Sequence, residues 1–218
     1  MITDLDQRAA EFGLELTAHH LNLLSIYLDE LESWNKKMNL IGTTSRRRII
    51  NELVLDSLIP APFLHHEKRM LDVGSGGGFP GIPIKIYMPH LQMTLLEANL
   101  KKIHFLKHVI RTLGLKNIKV IQGRIEVSGE LLHQVGYHIV SARALTNLGQ
   151  VIMWCASHLV SNGLLITYLG RKAEEELRRY ADIIETNALI VFQKIPYVLP
   201  GEIKRSIVIF KKIASNSH

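Results

Sequence analysis

Asp72-Val73-Gly74-Ser75-Gly76-Gly77-Gly78-Phe79-Pro80-Gly81-Ile82-Pro83 is the stretch that decides how this chain is read. The apolar run Met70-Leu71-Asp72-Val73 reads as a short strand leading into it. Ile82 to Met88 reads as a helix, started by Pro83 and stopped by Pro89. Glycines between a strand and a helix let the backbone turn sharply and admit a ligand where a Cβ would stand. In open α/β sheets, ligands sit at the carboxyl ends of strands.

Two glycine frames fit the loop. Gly76-x-Gly78-x-x-Gly81 fits a dinucleotide fingerprint. Gly74-x-Gly76-x-Gly78, preceded by Asp72, fits the loop of enzymes that bind S-adenosyl-L-methionine (AdoMet). The second frame begins at the strand end and is favoured on position. AdoMet carries an ammonium and a carboxylate at its amino-acid end, which Asp72 can serve. Glu97 closes the next apolar strand, Gln92 to Glu97, and a carboxylate there can accept both ribose hydroxyls. That supports an adenosine ligand without choosing between AdoMet and NAD.

Working outward, strands and helices alternate. Lys101 to Leu113 is expected as a helix closed by Gly114. Ile118 to Ile121, His138 to Ala142 and Leu164 to Tyr168 are expected as strands, with helices over Leu148 to His158 and Ala173 to Thr186. Ile190 to Ile195 and Ser206 to Phe210 are expected to pair through the Leu199-Pro200-Gly201 turn. Such alternation implies an α/β fold with a mostly parallel, doubly wound sheet. Before it, Thr17 can cap a helix carrying Leu21, Leu24, Leu28 and Leu31 on one face. A second helix is expected from about Arg47 to Leu58, with turn chemistry from Trp34 to Ser45 between them. The reading is a helical extension over residues 1–66 and a ligand-binding domain over 67–218.

The chain has 218 residues, enough to bury a core without disulfides or a structural metal. Its single cysteine, Cys155, excludes a disulfide framework and suits a reducing compartment. Ala144 to Gly170 lacks charged residues, but its polar residues and the Asn162-Gly163 turn favour a helix and a buried strand over a membrane span. No secretory signal is visible at the start, so a cytoplasmic protein is expected, and nothing in the sequence demands more than a monomer. Net charge is +6, unevenly placed. Residues 1–33 carry one basic and seven acidic groups, whereas 67–218 carry twenty and eleven. A basic body favours polyanions, nucleic acid first among them.

The chain also resembles a known family, the bacterial 16S rRNA guanine-N7 methyltransferases (RsmG, or GidB). The resemblance lies in the glycine loop with its Pro80-Gly81-Ile82-Pro83 ending, and in Trp34-Asn35-x-x-x-Asn39-Leu40. Leu55-Asp56-Ser57-Leu58, Val140-Ser141-Ala142-Arg143-Ala144 and Arg205-Ser206-Ile207-Val208-Ile209 match in the same order. The family often has His at the position of Leu53, and Leu-Lys where this chain has Leu169-Gly170 before Arg171 and Lys172. The resemblance implies a class I AdoMet-dependent methyltransferase fold, Rossmann-like, with an N-terminal helical extension. It implies methylation of N7 of guanine 527 in the 530 loop of 16S rRNA, with the rRNA or the small ribosomal subunit as partner. The cofactor residues it implies, together with those read from the loop, are Asp72, Gly74, Gly76, Gly78, Phe79, Glu97, Ile125, Glu126 and Arg143. Arg143 is the candidate catalytic group, orienting the reacting atoms.

Phosphate contacts should come from Lys and Arg, and Arg46, Arg47, Arg48, Arg171, Lys172 and Arg205 are the candidates. No metal is expected. Cys155 and Trp34 read as core residues, and the His104 and His108 spacing as surface. Two other readings stand beside this one: an AdoMet enzyme for a small molecule, and a nonenzymatic RNA-binding or ribosome-assembly module.

Overall fold

A computed structural model describes residues 3–64, 68–127, 132, 136–143, 145–199 and 202–214. The boundary at 66/67, Ala144 and the Pro200-Gly201 turn lie outside the described residues.

The strands are β1 (Arg69–Val73), β2 (Gln92–Glu97), β3 (Ile118–Gln122), β4 (Tyr137–Ala142), β5 (Leu159–Leu169), β6 (Leu189–Leu199) and β7 (Ile203–Lys212). They form a single seven-stranded sheet in the order β3-β2-β1-β4-β5-β7-β6. The first five run parallel, and β7 inserts antiparallel between β5 and β6. The expected α/β sheet and its closing antiparallel pair are therefore both present. The order reverses at β1, and Gly74 to Pro80 sits at the carboxyl end of that strand, the place where such sheets bind ligands.

The period of two along each strand divides the core. Met70 and Ile139 face one side with Leu24, Leu28 and Leu31; Leu71 and Val140 face the other with Ile152 and Leu165. The first side is covered by α1 (Thr3–Ala10), α2 (Ala18–Met38), α5 (Gly81–Tyr87) and α6 (Leu100–Thr112). The second is covered by α7 (Leu148–Cys155), α8 (Ala173–Arg179) and α9 (Ala181–Thr186). Lys85 on α5 is buried yet satisfied, donating to the carbonyls of Pro89 at 2.6 Å and Leu91 at 2.5 Å. Burial lowers its pKa to about 8.

Three local readings change. Trp34 to Met38 continue α2 rather than forming a turn, because Trp34 packs between α2 and α6 against Phe105 and His108. The turn comes at Asn39, in the left-handed region at φ 50°. Buried Asn35 then ties down the following loop, accepting from Ile41 N at 2.9 Å and donating to Thr43 O at 3.1 Å. The expected helix over 47–58 is three joined pieces: α3 (Arg46–Ile49), a π-helical turn (Ile50–Val54) and α4 (Leu55–Leu58). Strand β5 begins at Leu159 and passes through Asn162-Gly163; its register on β4 jumps from Tyr137–Leu159 to Ile139–Leu164, so the turn signal there marks a bulge. No helix among the described residues is long and apolar enough to cross a membrane.

Because α2 shares one core with the sheet, Leu28→Ala should weaken the entire fold. The expected loss is about 2–5 kcal/mol in urea unfolding, with a single transition by fluorescence and circular dichroism. A separate early transition for the helical segment would contradict this shared core.

Candidate functional site

The glycine loop is held from three directions. From the neighbouring strand β2, Leu96 O accepts from both Gly74 N and Ser75 N, at 2.8 and 3.1 Å. Beneath it lies Asp72, fully buried; Gly81 N donates to Oδ2 at 3.2 Å and Ser141 Oγ to Oδ1 at 2.8 Å. Above it lies α2, whose buried Tyr27 hydroxyl donates to Gly77 O at 2.5 Å. The Tyr27 ring also packs on Phe79, centroids 5.5 Å apart.

The close approach explains the glycines. Gly74, Gly76 and Gly78 have φ of 70°, 57° and 97°, the left-handed region that L side chains resist. A Cβ on Gly78 would meet Ile82 at 2.7 Å and Tyr27 Oη at 3.0 Å, and one on Gly77 would meet Ile41 at 2.8 Å. Gly76 differs. Its Cβ would point into space whose nearest atom is Gly74 O at 3.7 Å. Gly76 therefore has room beside it, while Gly77 and Gly78 are packed. The side chain of Leu145 lies over Gly74.

Glu97 is anchored beside that opening. Its Oε2 accepts from Gly76 N at 2.8 Å and its Oε1 from Asn99 N at 2.8 Å. Each oxygen keeps a further lone pair for a ligand hydroxyl. After β3, Gly123 N donates to Glu97 O at 3.0 Å, so the chain leading to Ile125 and Glu126 leaves the sheet beside Glu97. Ile125 is buried and Glu126 exposed. Arg143 follows Ala142, the register partner of Val73, so it stands next to the loop.

Asp72 takes a different place from a ligand contact at the surface of the cleft. Its carboxylate is turned inward, and burial raises its pKa from 3.8 to about 6. Two hydrogen bonds and the loop amide partly oppose that rise. It supports the loop from below.

The candidate phosphate-binding arginines divide. Arg46 turns back onto α2 and pairs with Asp29 at 2.7 Å and Glu32 at 3.1 Å. Arg48 pairs with Glu52 at 2.9 Å. Arg205 pairs with Asp56 at 3.2 Å and Glu52 at 3.7 Å. Arg47 and Arg171 are exposed, and Lys172 is exposed with Glu175 at 3.5 Å. His108 Nε2 meets Glu30 at 2.7 Å. Cys155 is buried, which raises its thiol pKa to about 12. The residues that sequence reasoning left out of the site are Tyr27, Asp56, Ser141 and Tyr168. Asp56 and Ser141 lay inside motifs already noted, but no spacing rule marks a tyrosine 50 residues upstream as a loop clamp.

Residues 20–198 match the GidB family, described as rRNA small subunit methyltransferase G. The chain belongs to the GidB family. Curated GidB relatives include the ribosomal RNA small subunit methyltransferase G of Alkaliphilus metalliredigens, 34% identical over 93% of this chain and 87% of that one. The protein of the same name from Chloroflexus aggregans is 35% identical over 96% and 89%. Solved structures with the same fold include cofactor-bound Rv0187 from MTB, at a TM-score of 0.64 and 15% identity, covering 89% of this chain and 91% of that one. Another is M. jannaschii TYW2 in complex with AdoMet, at 0.60 and 17%, covering 79% and 80%. The GidB match begins inside α2, so the helix that supplies Tyr27 belongs to the family's span.

Two outcomes test this geometry. Tyr27→Phe leaves Gly77 O without its buried donor, so unfolding free energy should fall by about 1–3 kcal/mol and AdoMet affinity several-fold, by calorimetry. Unchanged affinity would show that the clamp does not shape the cleft. A raised carboxyl pKa means that the stability from protonated Asp72 is present below its unfolded pKa and lost as pH rises toward about 6. Wild type should therefore lose about 2 kcal/mol relative to Asp72→Asn between about pH 4.5 and about pH 6.5 in urea titrations. A difference independent of pH would contradict the buried carboxyl.

Proposed function

We propose that the protein transfers the methyl group of AdoMet to N7 of guanine 527 in the 530 loop of 16S rRNA. The carrying observation is the open face at Gly76 with the Glu97 carboxylate fixed on its amide, in a chain that matches GidB over residues 20–198. The open Gly76 face and the anchored carboxylate fit an adenosine ligand, and AdoMet supplies an electrophilic methyl group when bound there. Gly74, Gly76 and Gly78 would line its amino-acid end, with Phe79 behind the loop. Glu97 would accept the ribose hydroxyls, and Ile125 and Glu126 would border the adenine. Asp72 holds the loop from beneath.

Guanine N7 has an in-plane lone pair and no proton, so the attack needs no general base. What remains for the protein is alignment, which supplies several kcal/mol of a barrier when reacting atoms are held in line. Arg143 is the group placed to orient the base beside the loop. Its guanidinium lies 5.5 Å from the centroid of Tyr168, and the two would form one wall of the pocket.

Recognition of the RNA then falls to the exposed cations. Arg47, Arg171 and Lys172 would contact phosphates, while Arg46, Arg48 and Arg205 are held by carboxylates of the chain itself. N7 of a paired guanine lies in a deep, narrow groove, so the target is expected in an unpaired or opened loop. We read residues 1–66 as a helical extension to the 67–218 domain, and the protein as a cytoplasmic monomer.

The test is transfer of labelled methyl from AdoMet to 16S rRNA, offered free and as small subunits lacking the modification, with position mapping. Label at N7 of guanine 527 is expected. Label at another atom, or AdoMet binding without transfer to either RNA form, would overturn the reading; the latter would favour a small-molecule substrate.

A further inference from the structure

The helical segment 46–58 meets the strand ends through a cluster of buried and half-buried charges. The Asp56 side chain is fully buried, and its Oδ2 accepts from Arg143 Nη2 at 3.1 Å and Arg205 Nη1 at 3.2 Å. The Tyr197 hydroxyl also interacts with this carboxylate. Arg143 Nη2 also donates to Glu52 O at 2.6 Å, and Nη1 to Leu53 O at 3.5 Å. Both carbonyls belong to the π-helical turn Ile50–Val54, whose wider winding takes carbonyls off the ordinary helical ladder. Glu52 in turn holds Arg48 and Arg205.

A buried ion pair is a poor stabilising device, because desolvation offsets the attraction; apolar side chains of the same volume would serve the core as well. What such a pair does supply is one fixed geometry. Arg143 has two backbone carbonyls and one carboxylate converging on one edge of its guanidinium, and only 11% of its side chain is exposed. The three arginines outnumber the two carboxylates, so the cluster keeps one positive charge in excess beside the cleft.

We propose that Asp56 is a positioning residue that sets the pose of Arg143 for methyl transfer, and that Arg205 serves this clamp rather than an RNA phosphate. The proposal rests on the reading of Arg143 as a wall of the AdoMet and substrate pocket. The clamp uses the carbonyl of residue 53, so Leu at that position leaves it intact.

The experiment is a double-mutant cycle on the full chain, read as kcat at saturating AdoMet with small subunits, beside AdoMet affinity and melting. Asp56→Asn should lower kcat about ten-fold or more while AdoMet Kd moves less than about three-fold and the melt stays cooperative. In an Arg143→Ala background the same change should alter kcat less than about two-fold. Arg205→Gln should behave likewise with a smaller loss, and should leave the salt dependence of the RNA KM unchanged. Independent, multiplying losses, a normal kcat in Asp56→Asn, or a flattened salt dependence in Arg205→Gln would overturn the proposal. If Asp56→Asn does not fold, the Arg205→Gln and Arg143→Ala cycle decides by the same criterion. A readout free of the methylation reading is the 15N signal of the Arg143 guanidinium. Its rotation should be slow in the wild type and fast in Asp56→Asn or Arg205→Gln; equal rates would sink the clamp even if methylation proceeds, and absence of methylation with slow rotation would sink only the functional reading.

Discussion

The Tyr27 hydroxyl and the Gly77 carbonyl share a hydrogen bond in a place where neither can reach water, and the glycine loop depends on it. Burial and the nearby Asp72 carboxylate both raise the Tyr27 pKa, so the phenol stays a donor. A loop with three residues at positive φ is flexible in isolation, because glycine gives up the most conformational freedom on folding. Here α2 presses it from one side through Tyr27 and Leu31, helped by Ile41 in the loop after the helix, while Asp72 and Leu96 hold it from the other. The packing that fixes Gly77 and Gly78 leaves Gly76 open, and that difference makes a cleft out of a turn.

The same helix organises the electrostatics. Its acidic face neutralises Arg46, which Asp29 and Glu32 take, and Glu30 meets the His108 ring. Glu52 and Asp56 pair with Arg48, Arg143 and Arg205, leaving one positive charge in excess there. The positive charge left for an anionic partner is therefore narrower than the composition suggests, and it sits on exposed residues such as Arg47 and Arg171.

The alternation of apolar strands with helices was legible because it follows from burial on both faces of a parallel sheet. Glu97 was legible because it ends an apolar strand, and its hydrogen bond to Gly76 N places it at the loop. The inward turn of Asp72 was not. A carboxylate at a strand end reads the same whether it faces a ligand or a backbone amide, and only Gly81 N and Ser141 Oγ decide it. Arg46 carried no sign of its pairing, since its partners lie 14 and 17 residues back on another helix. Trp34 to Met38 misled through local turn propensity, which packing of Trp34 on α6 overrides. The π-helical turn left no mark in composition at all.

The central claim is that the open face of Gly76, beside Glu97, receives the adenosylated cofactor. It is tested most directly by calorimetric titration of S-adenosylhomocysteine into the wild type and into Gly76→Val, each confirmed as folded by circular dichroism. One saturable site in the wild type, absent in the variant, is the result this structure predicts. No heat in the wild type, or equal binding by the variant, would contradict it.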